Sequence, residues 1–154
     1  MAAFYFDSSA LVKRYSFENG TKFVIELMRP SAKNRFYSAK ISEAEVCATI
    51  SRKRKSGNLS IISSNKAHKR FRRNFSGNFN RLDLTDSVIN EAVRLTEIHA
   101  LRGYDAVQLA TALIANRRRL NDGLLPLTLV SADNELNKAA QAEGLAVENP
   151  NNYP

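Results

Sequence analysis

The chain of 154 residues is 44% apolar and 25% charged, which fits one globular domain over residues 1–154 with a core large enough to need no covalent staples. Its single cysteine, Cys47, excludes an internal disulfide framework and fits a reducing cytosol. No apolar run approaches the roughly 20 residues of a membrane helix, and no basic-then-apolar leader opens the chain, so a cytoplasmic protein with no membrane partner is expected. The net charge of +8 is unevenly placed: Val46 to Leu82 contains no Asp or Glu and ten of the 23 Lys and Arg. The rest of the chain has 13 basic residues against all 15 acidic ones. A short charge run is usually a solvated helix face, but a long stretch without counter-charge repels itself unless a polyanion or an acidic protein answers it.

In chain order, Ala3–Phe6 reads as a short buried strand that stops at Asp7, where Ser8 and Ser9 start a helix and Lys13 and Arg14 turn to solvent. A helical piece follows over Gly20–Met28, closed by Pro30, then a strand over Arg35–Ala39. Ile41–Lys55 is helical, with Ser42 and Glu45 in capping-box spacing. Leu59–Phe75 is a basic helix with few apolar residues, and Phe79–Leu84 alternates as a strand. Thr85 caps a helix over Ser87–His99 with Val88, Ile89, Ala92, Val93 and Leu95 facing inward. Tyr104–Ala115 is apolar nearly all round and therefore buried. A strand over Leu127–Val130, a helix over Asn134–Glu143 ending at Gly144, and a last strand over Leu145–Val147 complete the chain. Alternating strands and helices predict a doubly wound α/β fold, a parallel sheet covered on both faces.

Sites in such sheets form at the carboxyl ends of strands, where the strand order reverses. Two strands end on aspartate, Asp7 in "FYFD" and Asp133 in "LTLVSAD". Glu45 and Asp105 sit at the heads of two helices, in "ISEAEVCATI" and "LRGYDAVQLATAL". Each acid alone has a plain explanation as a cap or as a partner of the helix dipole. Glu43 is the competitor of Glu45 and reads as solvated. Four converging carboxylates repel by roughly 4 kcal/mol per close pair at an effective dielectric of 20, a cost that a cation removes. An all-oxygen set without His or Cys suits Mg²⁺ or Mn²⁺, which can activate a water and neutralise charge on a phosphodiester. His68 and His99 lack ligand spacing, Cys47 reads as a small core residue, and "ENGTK" is not a phosphate loop.

Together "FYFDSSALVKRY", "SEAEVCATI", "GYDAVQLATAL" and "LVSADNEL" resemble the PIN domain, particularly the VapC-type ribonuclease toxins, from Phe4 to Val147. The resemblance implies five parallel strands in the order 3-2-1-4-5. It implies that Asp7, Glu45, Asp105 and Asp133 take the four acidic places that hold the metal, and that Ser9 and Ser131 orient a carboxylate or water. It also implies a metal-dependent endoribonuclease that cleaves RNA through a metal-activated water, with a cognate antitoxin as partner; a homodimer is left open. The alternatives are a non-catalytic RNA-binding module and a nuclease of RNA processing outside a toxin system. Arg52, Lys53, Arg54, Lys55, Lys69, Arg70, Arg72 and Arg73 are the candidate RNA-binding residues, with an acidic partner protein as the competing explanation of their charge.

Overall fold

A computed structural model describes residues 1–154. The strands are β1 (Ala3–Phe6), β2 (Arg35–Ala39), β3 (Phe79–Leu82), β4 (Thr128–Val130) and β5 (Ala146–Glu148). The helices are α1 (Ser8–Leu11), α2 (Thr21–Leu27), α3 (Ser42–Lys55), α4 (Ile61–Asn78), α5 (Asp86–His99), α6 (Gly103–Asn121) and α7 (Asn134–Ala142). All strand pairs are parallel, in the order β3-β2-β1-β4-β5. Crossovers run outward from β1 to β3, then return to the other side of β1 through β4. The order therefore reverses between β1 and β4, where Tyr5 pairs with both Tyr37 and Leu129.

The pleat of β1 divides the core. Tyr5 points to one face, with the inner sides of α5, α6 and α7. Phe6 points to the other, with α1 to α4 and the aromatic set Phe71, Phe75 and Tyr15. Both faces are dry, which is why β1 and β4 read as apolar runs rather than alternating strands. No helix is long and apolar enough to cross a membrane.

Several local expectations are corrected. Lys13 is 4% exposed rather than solvated; its ammonium donates to Glu18 Oε1, the Asn19 carbonyl and Asn151 Oδ1, which satisfies all three N–H groups. Ser42 does not form a capping box: the helix begins from Ile41 without a side-chain cap, and the Ser42 hydroxyl is turned into the core. The basic helix starts later and runs longer, capped by Ser60 and ending at Asn78. Ile89 and Val93 face outward, at 41% and 51% exposure, because only the stripe of Val88, Ala92 and Leu95 reaches the core. α6 continues to Asn121, past its apolar stretch, because Arg119 is buried and donates to the Leu125 carbonyl and the Tyr37 hydroxyl. Cys47 is half-buried at the edge of the second core.

Candidate active site

Asp7 stands one residue beyond β1, its N–H extending the ladder to the Val130 carbonyl at 3.2 Å. Its carboxylate caps α1 through the Ala10 N–H at 3.0 Å, so the cap reading holds. It also accepts from two hydroxyls: Ser9 Oγ to Oδ1 and Ser131 Oγ to Oδ2, each at 2.7 Å. Both hydroxyls have their own acceptor side occupied, Ser9 by the Ala132 N–H and Ser131 by the Asp133 N–H. Backbone donors on the β4–α7 connection thus direct both hydroxyl protons at Asp7. Three donors favour the ionised carboxylate, but burial opposes it and wins, and the Asp133 charge adds to the rise; the pKa is pushed up to about 6.

Asp133 follows β4 and caps α7, accepting from the Leu136 N–H at 2.9 Å. Asp105 is half-buried in the first turn of α6. Burial raises its pKa, and the charges of Asp133 and Glu45 push it the same way against the opposing pull of Arg102. Glu45 is half-buried in the first turn of α3. A cavity of about 240 Å³ is walled by Arg102, Asp105, Asp133 and Glu135. The acids therefore feel one another along the series Asp7–Asp133–Asp105–Glu45. No three His, Cys, Asp or Glu side chains form a preformed metal cage. The donor chemistry nevertheless fits a hard divalent ion, since Mg²⁺ keeps several waters and is commonly bound through one or two carboxylates.

A buried network that the sequence did not disclose fixes the helices carrying Glu45 and Asp105. Gln108, 1% exposed, accepts from the Tyr5 hydroxyl at 2.7 Å and donates to Ser42 Oγ at 2.8 Å and Tyr104 OH at 2.9 Å. The Tyr5 oxygen accepts from the Ala39 N–H, and Ser38, beside Ser42, donates to the Phe6 carbonyl. The first turns of α3 and α6 are thereby tied to the carboxyl ends of β1 and β2. The available signal was the single amide, Gln108, within the mostly apolar stretch Tyr104–Ala115 of α6. Tyr104, next to Asp105, has its pKa pushed up to about 12, chiefly by burial and partly by the Glu45 charge.

The basic residues divide. Lys53 pairs with Glu18 at 2.7 Å, Arg72 pairs with Glu43 at 3.1 Å, and Arg52 donates to Thr49. Glu43 is thus an ion-pair partner, not a free surface acid. Arg54, Lys55, Lys69, Arg70 and Arg73 are exposed.

Acidic side chains at the switch point of a doubly wound parallel sheet define a class of α/β protein with its chemistry at the strand ends. The sequence matches the PIN domain over residues 4–142, and the chain belongs to that family, one of nucleases. The fold is similar to that of a toxin–antitoxin complex from Klebsiella pneumoniae, at 21% identity over 97% of this chain and 98% of that one, with a TM-score of 0.61. It is also similar to VapBC2 from Rickettsia felis bound to a promoter DNA fragment, at 14% identity, 96% and 98% coverage and a TM-score of 0.62. FitAB bound to the IR36 DNA fragment gives 16% identity, 96% and 94% coverage and a TM-score of 0.65. Comparison with curated protein sequences gives no significant match.

Proposed function

We propose that the protein is a divalent-metal-dependent endoribonuclease of VapC type, the toxin of a type II pair, with Asp7, Glu45, Asp105 and Asp133 as its metal-holding acids. The observation that carries this reading is Asp7. A carboxylate is buried at the switch point, held by three donors and set beside a second acid, an arrangement costly to ionise without a cation. An Mg²⁺ or Mn²⁺ ion bound there supplies positive charge for a phosphodiester and acidifies a water. Ser9 and Ser131 keep Asp7 oriented with both oxygens as acceptors. Asp133 and Asp105 share the adjoining cavity wall, and the Gln108 network sets the first turns that carry Glu45 and Asp105. The likeness to chains solved in toxin–antitoxin complexes supports a cognate antitoxin as partner.

The test is cleavage of single-stranded RNA with Mg²⁺, with Mn²⁺ and with EDTA, alongside Asp7→Asn. Loss of cleavage in EDTA and in the variant, with 5′-phosphate products, is expected. RNA binding without cleavage under every metal condition would favour the non-catalytic module, against which the complete set of four acids argues.

A further inference from the structure

We infer that the β3 edge of the sheet forms a second RNA-binding surface, a groove that holds single-stranded RNA away from the acids; this rests on the ribonuclease reading but is tested apart from it. Two cavities, of about 600 and 410 Å³, share Phe79 and Asn80 as a common wall. The larger is lined from both ends of β3, reaching Leu82 and Asp83, and the smaller continues past the amino ends of β2 and β3 to Arg35 and Phe36. β3 pairs only with β2, so its outer edge is free for the whole length of the groove.

The charge along this path is complementary to phosphate. Arg14 and Arg35 line the smaller cavity, and Arg81 and Arg118 the larger. None of the four pairs with a carboxylate; the arginines that do are Arg29, Arg72, Arg94 and Arg117. Of the two acids in the larger cavity, Asp83 is answered by Lys40, and Asp122 has no ion pair but stands against three arginines, Arg81, Arg118 and Arg119. Arg14 and Arg81 lie over the rings of Tyr15 and Phe75, at 6.0 and 5.8 Å, which steadies them without neutralising them. The half-buried rings of Phe36 and Phe79, 5.4 Å apart, add aromatic surface on which bases can stack. Free guanidinium groups beside aromatic rings in an open groove are the chemistry of single-strand binding, whereas an acidic protein would need only the charge. Only Arg81 belongs to the acid-free stretch, so this groove is distinct from the α3–α4 basic face.

The experiment is equilibrium binding of the whole protein to a labelled oligouridine of about a dozen nucleotides, in EDTA so that no cleavage occurs. Wild type is compared with Arg35→Gln/Arg118→Gln and Arg35→Lys/Arg118→Lys, both sites being exposed. Loss of two phosphate contacts should flatten the log–log salt slope by about 1.4 and weaken binding about 25-fold at 0.1 M salt, while the Lys pair keeps most of the slope. An unchanged slope in the Gln pair overturns the groove, as does tighter binding of wild type to polyglutamate than to RNA. A protein that binds as expected but never cleaves retains the groove and loses the nuclease reading. One that cleaves while the Gln pair binds normally does the reverse.

Discussion

Ser131 Oγ donates a 2.7 Å hydrogen bond to Oδ2 of Asp7, joining residues 124 apart in sequence across the carboxyl ends of β4 and β1. The same hydroxyl accepts from the Asp133 N–H at 3.1 Å, so one serine sets the bearing of two acids. This coupling makes Asp7 the point where stability, pH and metal binding meet.

In the absence of metal, Asp7 should weaken the fold at neutral pH. Its pKa rises from 3.8 to about 6 on folding. Between those values the folded protein binds more protons than the unfolded chain, so stability falls as pH rises through the window. At 1.36 kcal/mol per tenfold, the cost above pH 6 reaches about 3 kcal/mol. Urea unfolding in EDTA should therefore show greater stability near pH 5 than near pH 7, and Asp7→Asn should remove most of the difference, Asp105 acting in the same direction. The variant should also lose most of the rise in Tm that Mn²⁺ gives the wild type. A wild type whose stability increases over that pH range would contradict this account of Asp7.

Ser131→Ala should move the Asp7 pKa further upward, because it deletes a donor to the charged form. Ser9→Ala should act in the same direction. Each loss should cost about 1.5–3 kcal/mol, the range for hydrogen bonds to charged groups. Carbon-13 NMR titration of the Asp7 carboxyl reads the first effect and urea unfolding the second; a downward pKa shift would show that the hydroxyl protons point elsewhere.

Much of this arrangement was legible in the sequence because strand-end acids and dry strands follow simple rules. Asp7 and Asp133 both end apolar runs, and the alternation of elements leads to a parallel sheet from one edge of which both project, while their placement on neighbouring central strands was implied by the family resemblance. What stayed hidden was long-range satisfaction of polar groups. Ser42 and Glu45 have capping-box spacing, yet Ser42 is used by Gln108, a partner 66 residues away. Lys13 reads as a surface charge until Asn151, at the far end of the chain, supplies an acceptor. Spacing rules reach one helical turn and cannot register such partners. They likewise could not show that Glu18 and Glu43 reach back to neutralise two of the ten cations in the acid-free stretch.

Glu45→Gln should abolish cleavage, and Glu43→Gln should leave it intact. Glu43 holds Arg72 at a surface where an ion pair contributes about 0–1 kcal/mol, so its loss should barely shift the unfolding midpoint. Glu45 has no capping partner to lose, since Ser42 faces the core. Cleavage rates and melting curves for the pair separate the two acids, and the reverse pattern would transfer the metal-holding role to Glu43.

The α4 basic face predicts its own salt response. Replacing Arg70, Arg72 and Arg73 with Gln should flatten the salt slope for single-stranded RNA by about 2 if all three meet phosphates, and by about 1.4 if Arg72 stays with Glu43. An unchanged slope, with weaker binding to the antitoxin, would assign this face to the protein partner.

Gln108→Leu tests whether the buried amide sets the position of the acids or only fills space. Leucine roughly matches the volume but gives no acceptor to the Tyr5 hydroxyl and no donor to Ser42 or Tyr104. Tyr5 is fully buried, so its orphaned O–H alone should cost about 1–3 kcal/mol in urea unfolding. If the amide also holds the first turns of α3 and α6 in register, Glu45 and Asp105 should lose their relative placement. Mn²⁺ affinity should then fall several-fold at a temperature where the variant remains folded. The combined change Tyr5→Phe with Gln108→Leu separates the contributions. It removes the orphaned hydroxyl but also the acceptor of the buried Ala39 N–H, so stability should stay near that of Gln108→Leu, while the links to Ser42 and Tyr104 stay broken and Mn²⁺ binding stays weak. Recovery of both together would reduce Gln108 to a packing residue.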